Sequence, residues 1–159
     1  MKLVGITMIL VAALVFSYGK SAKITERQTV LSELFRFIEY AKIEIGCYLR
    51  PISEIAATFT SDTLSGKGFL SDVEKNGAYK AYLSLSEKVS LGEAAEGVLD
   101  RFFSLLGTGY AEDEMKLIDA TLSELKEILT SEGEIAPKQK KLSLTLSFSG
   151  ALALIILLL

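Results

Sequence analysis

Residues 24–49 read ITERQTVLSELFRFIEYAKIEIGCYL, and the spacing of their apolar side chains settles the fold class. Leu31, Leu34, Ile38, Ala41, Ile45 and Tyr48 recur at steps of three and four, a seam along one face of a long helix. Phe35, Phe37 and Leu49 widen that seam, which suits a helical bundle better than an isolated two-stranded coil. Pro51 stops the helix, because it lacks an N–H and pushes Arg50 out of the α region. The same proline fits the first turn of a second helix, where Ile52, Ile55, Ala56 and Phe59 follow at i, i+3, i+4 and i+7.

Downstream, Ser65-Gly-Lys-Gly68 breaks the pattern, and short helices are expected over 69–75 and 78–86 with Asn76-Gly77 between them. Tyr79, Tyr82 and Leu83 give the second of these an aromatic face. Ser90 and Glu93 have the spacing of a capping box. They would open a helix bearing Leu91, Ala94, Ala95, Val98, Leu99, Phe102, Phe103 and Leu106, which Gly107 ends. A last helix begins with Glu112, Asp113 and Glu114, three carboxylates at the positive end of a helix dipole. Met115, Ile118, Leu122, Leu125 and Leu129 continue it, and Gly133 and Pro137 are expected to interrupt it. No alternating apolar–polar run suggests a strand. The middle of the chain is therefore expected to be one all-α bundle of about six helices.

Outside this bundle lie two uncharged stretches. Residues 142–159 carry no charge and end on Leu-Ile-Ile-Leu-Leu-Leu; at 1.5 Å per residue they extend about 27 Å, close to a bilayer's hydrocarbon thickness. Residues 3–19 are also uncharged, with Tyr18 suited to an interface. The expected organisation is a transmembrane helix over 3–19, a cytoplasmic helical bundle over 20–141 and a transmembrane helix over 142–159. A cleaved signal peptide is the alternative for the first stretch. Signal peptides concentrate positive charge ahead of the apolar core, whereas Lys20, Lys23 and Arg27 follow it here. With Lys138, Lys140 and Lys141 flanking the second stretch, the basic residues lie on the bundle side, which orients the bundle to the cytoplasm.

Charge also narrows the partners. All 20 acidic residues and 11 basic ones lie between Glu26 and Glu134, a net of −9. Such a body repels nucleic acid and suits a basic protein partner, while the lysine collars suit anionic lipid. The chain has no histidine and one cysteine, Cys47. Histidine-dependent catalytic sets and cysteine-built zinc or iron–sulfur sites are thus excluded within one chain. Gly66-Lys-Gly68 lacks the spacing of a phosphate loop, and consecutive carboxylates at 112–114 point around a helix rather than to one focus. No catalytic, cofactor-binding or metal-binding residue is expected. The residues best placed to meet a partner are Arg50, Pro51 and Glu54 at the proline-fixed corner, with Glu112 and Asp113 at the start of the last helix.

These same residues carry a resemblance. Leu31-Ser-Glu-Leu34 with Ile38, then Ile45-Gly-Cys-Tyr48-Leu-Arg-Pro51-Ile-Ser-Glu54, then Phe103-Ser-Leu-Leu-Gly107-Thr-Gly109-Tyr-Ala-Glu112 and the tail from Lys138 to Leu159 follow in order across the chain. In this the sequence resembles the stage III sporulation protein AB family of endospore-forming bacteria. Glu112 stands where that family usually has aspartate, and Lys116 where glutamine is common. The resemblance implies a non-enzymatic platform or scaffold subunit of a secretion-like channel complex in the mother-cell membrane. It further implies a bundle similar to the cytoplasmic domain of type II secretion platform (F-type) proteins, coupled to a secretion-type ATPase and other membrane subunits. A dimeric membrane-anchored regulatory bundle, joined through the seam from Leu31 to Tyr48, is the alternative. An enzyme would need a cleft lined by desolvated carboxylates.

Overall fold

A computed structural model of the chain describes the backbone of residues 2–109 and 111–158, and the side chains of 22–109 and 112–133 together with Thr145 and Ser149. Among the described residues there are seven helices and no strand: α1 (Lys2–Tyr48), α2 (Ile52–Thr58), α3 (Asp62–Gly66), α4 (Phe69–Asn76), α5 (Ala78–Lys88), α6 (Glu93–Leu105) and α7 (Ala111–Leu158). Met1–Glu26 with Ser131–Leu159 forms one compact unit and Arg27–Thr130 another. The expected spans over 3–19 and 142–159 lie outside the described side chains, apart from Thr145 and Ser149. Among the described residues no helix is long and apolar enough to cross a membrane.

The Arg27–Thr130 unit is built on the predicted seam. Leu31, Leu34, Ile38, Ala41 and Ile45 of α1 are all buried, joined by Val30 and Phe37. Across from them α7 contributes buried Ile118 and Leu125, with Met115, Leu122 and Leu129 packed partly in. The seam is therefore consumed inside this chain and offers no free face for the dimer that its spacing alone allowed. Tyr48 ends the seam exposed rather than buried.

A run of rings joins the remaining helices to α1. Phe37 meets Phe59 just after α2 at 5.4 Å and Phe69 of α4 at 5.6 Å, both edge to face. Phe69 reaches Phe103 of α6 at 5.9 Å, and Phe103 stacks on Tyr82 of α5 at 5.1 Å. These are the offset and edge-on arrangements that ring quadrupoles favour. Tyr82 is buried and its hydroxyl donates to the Glu96 carbonyl at 3.0 Å, whereas Tyr79 and Leu83 remain exposed. The aromatic face expected on α5 is thus split between core and surface.

Local chemistry departs from expectation at four places. The chain enters α6 through Gly92, and Glu96 rather than Glu93 does the capping: its Oε1 accepts from the N–H of Leu91 at 2.8 Å and of Gly92 at 3.1 Å. Ser90 donates its hydroxyl to that same oxygen. Pro51 caps α2 from just outside rather than filling its first turn. The unforeseen α3 arises because the buried Ser61 hydroxyl accepts from the Leu64 N–H at 3.2 Å. Finally, the backbone of α7 continues through Gly133 and Pro137. Pro137 withholds the N–H that would meet the Gly133 carbonyl four residues back, a loss that a 48-residue helix absorbs.

Two measurements probe this core. Phe37→Ala empties the centre of the ring series and should cost roughly 3–5 kcal/mol in denaturant unfolding of the full chain. Burial, with Glu96 and Asp100 nearby, pushes the Tyr82 phenol up from 10.0 to about 12. The folded state thus favours the protonated phenol: stability is untouched below the ordinary value and falls as pH climbs from 10.0 towards 12. Tyrosinate absorbance should show a late titrating ring that Tyr82→Phe removes.

Candidate partner-binding surface

At the end of α1 the backbone does something costly. Leu49 adopts φ 54°, the left-handed conformation in which glycine usually sits after a helix. In that position its N–H donates to the Ile45 carbonyl at 3.1 Å, and the Arg50 N–H donates to the Glu44 carbonyl at 3.3 Å. The helix thereby closes on its last carbonyls, at a steric cost of about 1–2 kcal/mol for a residue with a Cβ. Its own burial does not explain leucine here, since Leu49 is 77% exposed.

Glu44 holds the corner from below. It sits on the seam side of α1 and is only 8% exposed, and its Oε2 lies 3.1 Å from Arg50 Nη1. A buried carboxylate requires such a counter-charge. The Arg50 guanidinium also lies 5.7 Å from the Tyr48 ring centroid. Arg50 is therefore tied into the corner's own framework while part of it still faces solvent. Pro51 follows in extended conformation, and its carbonyl accepts from the N–H groups of Glu54 and Ile55. Glu54 is exposed on the first turn of α2.

The second corner, between α6 and α7, lies at the same end of the unit. Lys42 pairs with Asp119 at 2.7 Å, and Gly46 faces Met115 so closely that a Cβ there would come within 3.2 Å of the methionine Cε. These two contacts fix α1 and α7 antiparallel, and one further turn sets Leu49 and Arg50 level with the start of α7. Gly107, at φ 81°, turns the chain out of α6, and its N–H donates to Glu114 Oε1 at 2.7 Å. One of the three leading carboxylates is thus used to fix the loop. Glu112 and Asp113 are exposed, with Lys116 3.7 Å from Asp113.

All five residues singled out in the sequence, Arg50, Pro51, Glu54, Glu112 and Asp113, therefore fall at one end of the Arg27–Thr130 unit. Three further contributors were not foreseen. Glu44 continues the core-facing side of α1, and a carboxylate there six residues before an arginine was the available signal. Glu114 looked like a mere dipole partner. Leu105, at the end of α6 and off its expected apolar face, is 47% exposed. Tyr48 at 65% and Leu49 at 77% make this end apolar as well as acidic.

Among the described residues no group of three or more potential ligands is placed to hold a metal ion. The surface offers rings, aliphatic side chains and carboxylates. Leu49→Gly should raise the unfolding free energy by roughly 1 kcal/mol, because glycine adopts the left-handed turn without a Cβ clash. Denaturant titration of the full chain reads this directly; a loss of stability would mean that the Leu49 side chain supports the fold.

The chain was also compared with known proteins. A family model described as Stage III sporulation protein AB (spore_III_AB) matches residues 2–159. No curated protein and no solved structure matches it.

Proposed function

From the premise that this chain belongs to the stage III sporulation protein AB family, we propose that it is a non-enzymatic platform subunit of a membrane channel complex. Membership implies a role in sporulation. In the proposed role residues 3–19 and 142–159 anchor the chain in the mother-cell membrane. The acidic bundle then stands on the cytoplasmic side and couples the channel to a secretion-type ATPase.

The observation that carries this reading is the separation of charge along the chain. Two uncharged ends are each followed or preceded by lysines, and every acidic residue lies between them. Basic collars next to apolar stretches favour retention on the cytoplasmic side. The rigid bundle supports it too: its seam is filled from within, so its binding capacity lies in its surface and corners. A likeness to the F-type platform proteins of type II secretion belongs to the same proposal, as do contacts with the other membrane subunits.

The test is purification of the tagged full chain from sporulating cells after extraction of membranes with alkaline carbonate. The chain is expected to stay with the membrane and to bring down a secretion-type ATPase together with membrane subunits. Release into the carbonate wash, or recovery of the chain without an ATPase, would remove this reading. A reporter fused after Leu159 should be inactive on the cytoplasmic side if both ends cross the bilayer as proposed.

A further inference from the structure

We propose that the end of the bundle where α1 and α7 meet is a docking tip with Leu49 as its apolar anchor. Its occupant is a basic amphipathic segment of a partner protein, one that offers a few apolar side chains flanked by lysines or arginines. The proposal rests on the platform reading for its biological setting but not for its physics.

Three observations converge on it. The first is the display of Leu49. Its side chain is thrust outward by a left-handed backbone that stabilises nothing a glycine would not stabilise better, and Tyr48 beside it is exposed as well. A costly conformation at an exposed site points to use. The second is composition: Tyr48 and Leu49 place two large exposed hydrophobic residues side by side at this end. The third is charge. Glu54, Glu112 and Asp113 are exposed at this end; Lys116 lies 3.7 Å from Asp113, and Arg50 is paired with the buried Glu44, so carboxylates remain in excess. Apolar anchors at an end with excess carboxylates match a partner of the reverse charge, and such complementarity sets partner choice.

The same charges disfavour other occupants. Anionic headgroups and nucleic acid would meet carboxylates rather than cations. A second copy of this chain placed tip to tip would bring like charges together.

The experiment uses the full-length chain in neutral detergent and a labelled helical peptide of leucine and lysine, with a leucine–glutamate peptide of equal length as the comparison. The wild-type chain should bind the leucine–lysine peptide saturably and leave the leucine–glutamate one unbound. Leu49→Gly, which keeps the turn, should weaken binding at least about tenfold, a change a purely structural leucine would not produce. Glu54→Gln combined with Glu112→Gln and Asp113→Asn should weaken it at low salt and flatten its salt dependence. Leu83→Gln, an exposed apolar position on α5, should leave it unchanged.

Equal binding by the wild type and Leu49→Gly would overturn the proposal. So would equal binding of the two peptides, or a wild-type dimer that Leu49→Gly dissolves, which would make a second copy the occupant. The platform reading fails separately. If the wild-type chain recovers no ATPase from cells, that reading is lost while the peptide result still judges the tip. If the ATPase is recovered but the wild type and Leu49→Gly bind the peptide equally, the tip proposal is lost and the platform reading stands.

Discussion

Burial of one face of α1 against α7 governs the rest of the Arg27–Thr130 unit. From Arg27 to Tyr48 the helix extends about 32 Å at 1.5 Å per residue, and its seam is buried almost throughout that length. Short helices such as α2 and α3 cannot stand alone in water, since nucleation costs more than a turn or two returns. They persist because α1 presents Phe37 and its neighbours as a wall for them to cover. The antiparallel partner α7 supplies the opposite wall through Ile118 and Leu125.

The same pairing sets where function can reside. Lys42 with Asp119 and Gly46 with Met115 pin the register, so the start of α7 has no freedom to drift away from the end of α1. Two corners far apart in sequence, at 48–51 and 105–112, are thereby brought to one end. Each is closed by a carboxylate reaching back to its own corner: Glu44 to Arg50, and Glu114 to the Gly107 N–H.

Much of this fold was legible because it depends on periodicity. The three-and-four spacing from Leu31 to Ile45 and from Met115 to Leu129 named the two walls, and Gly107 was recognisable as a stop. Where the reading failed, a nearer or longer-range partner overrode the local signal. Ser90 and Glu93 have capping-box spacing, yet Glu96 reaches the same N–H groups from a turn further on. Ser65-Gly-Lys-Gly68 announced a loop and hid the cap that Ser61 provides to α3. Pro137 announced a break that the backbone does not make. Local sequence states preferences of up to about 1 kcal/mol for ordinary residues and about 3 kcal/mol for proline, which the surrounding structure can outweigh.

The five surface residues belong to separate corners of the sequence, and only the register of α1 with α7 joins them. Their charges were visible in the sequence, but the exposure of Leu49 was not, because leucine at the end of an apolar seam reads as core. A left-handed φ cannot be inferred from a leucine; glycine would have announced it. At this corner the guanidinium of Arg50 has work inside the fold, whereas the side chain before it has none. An apolar group held out in water by a strained backbone costs the free chain that strain and returns almost no burial. Retaining it is coherent when another surface covers it, since desolvating such a side chain then supplies the burial that the free chain lacks.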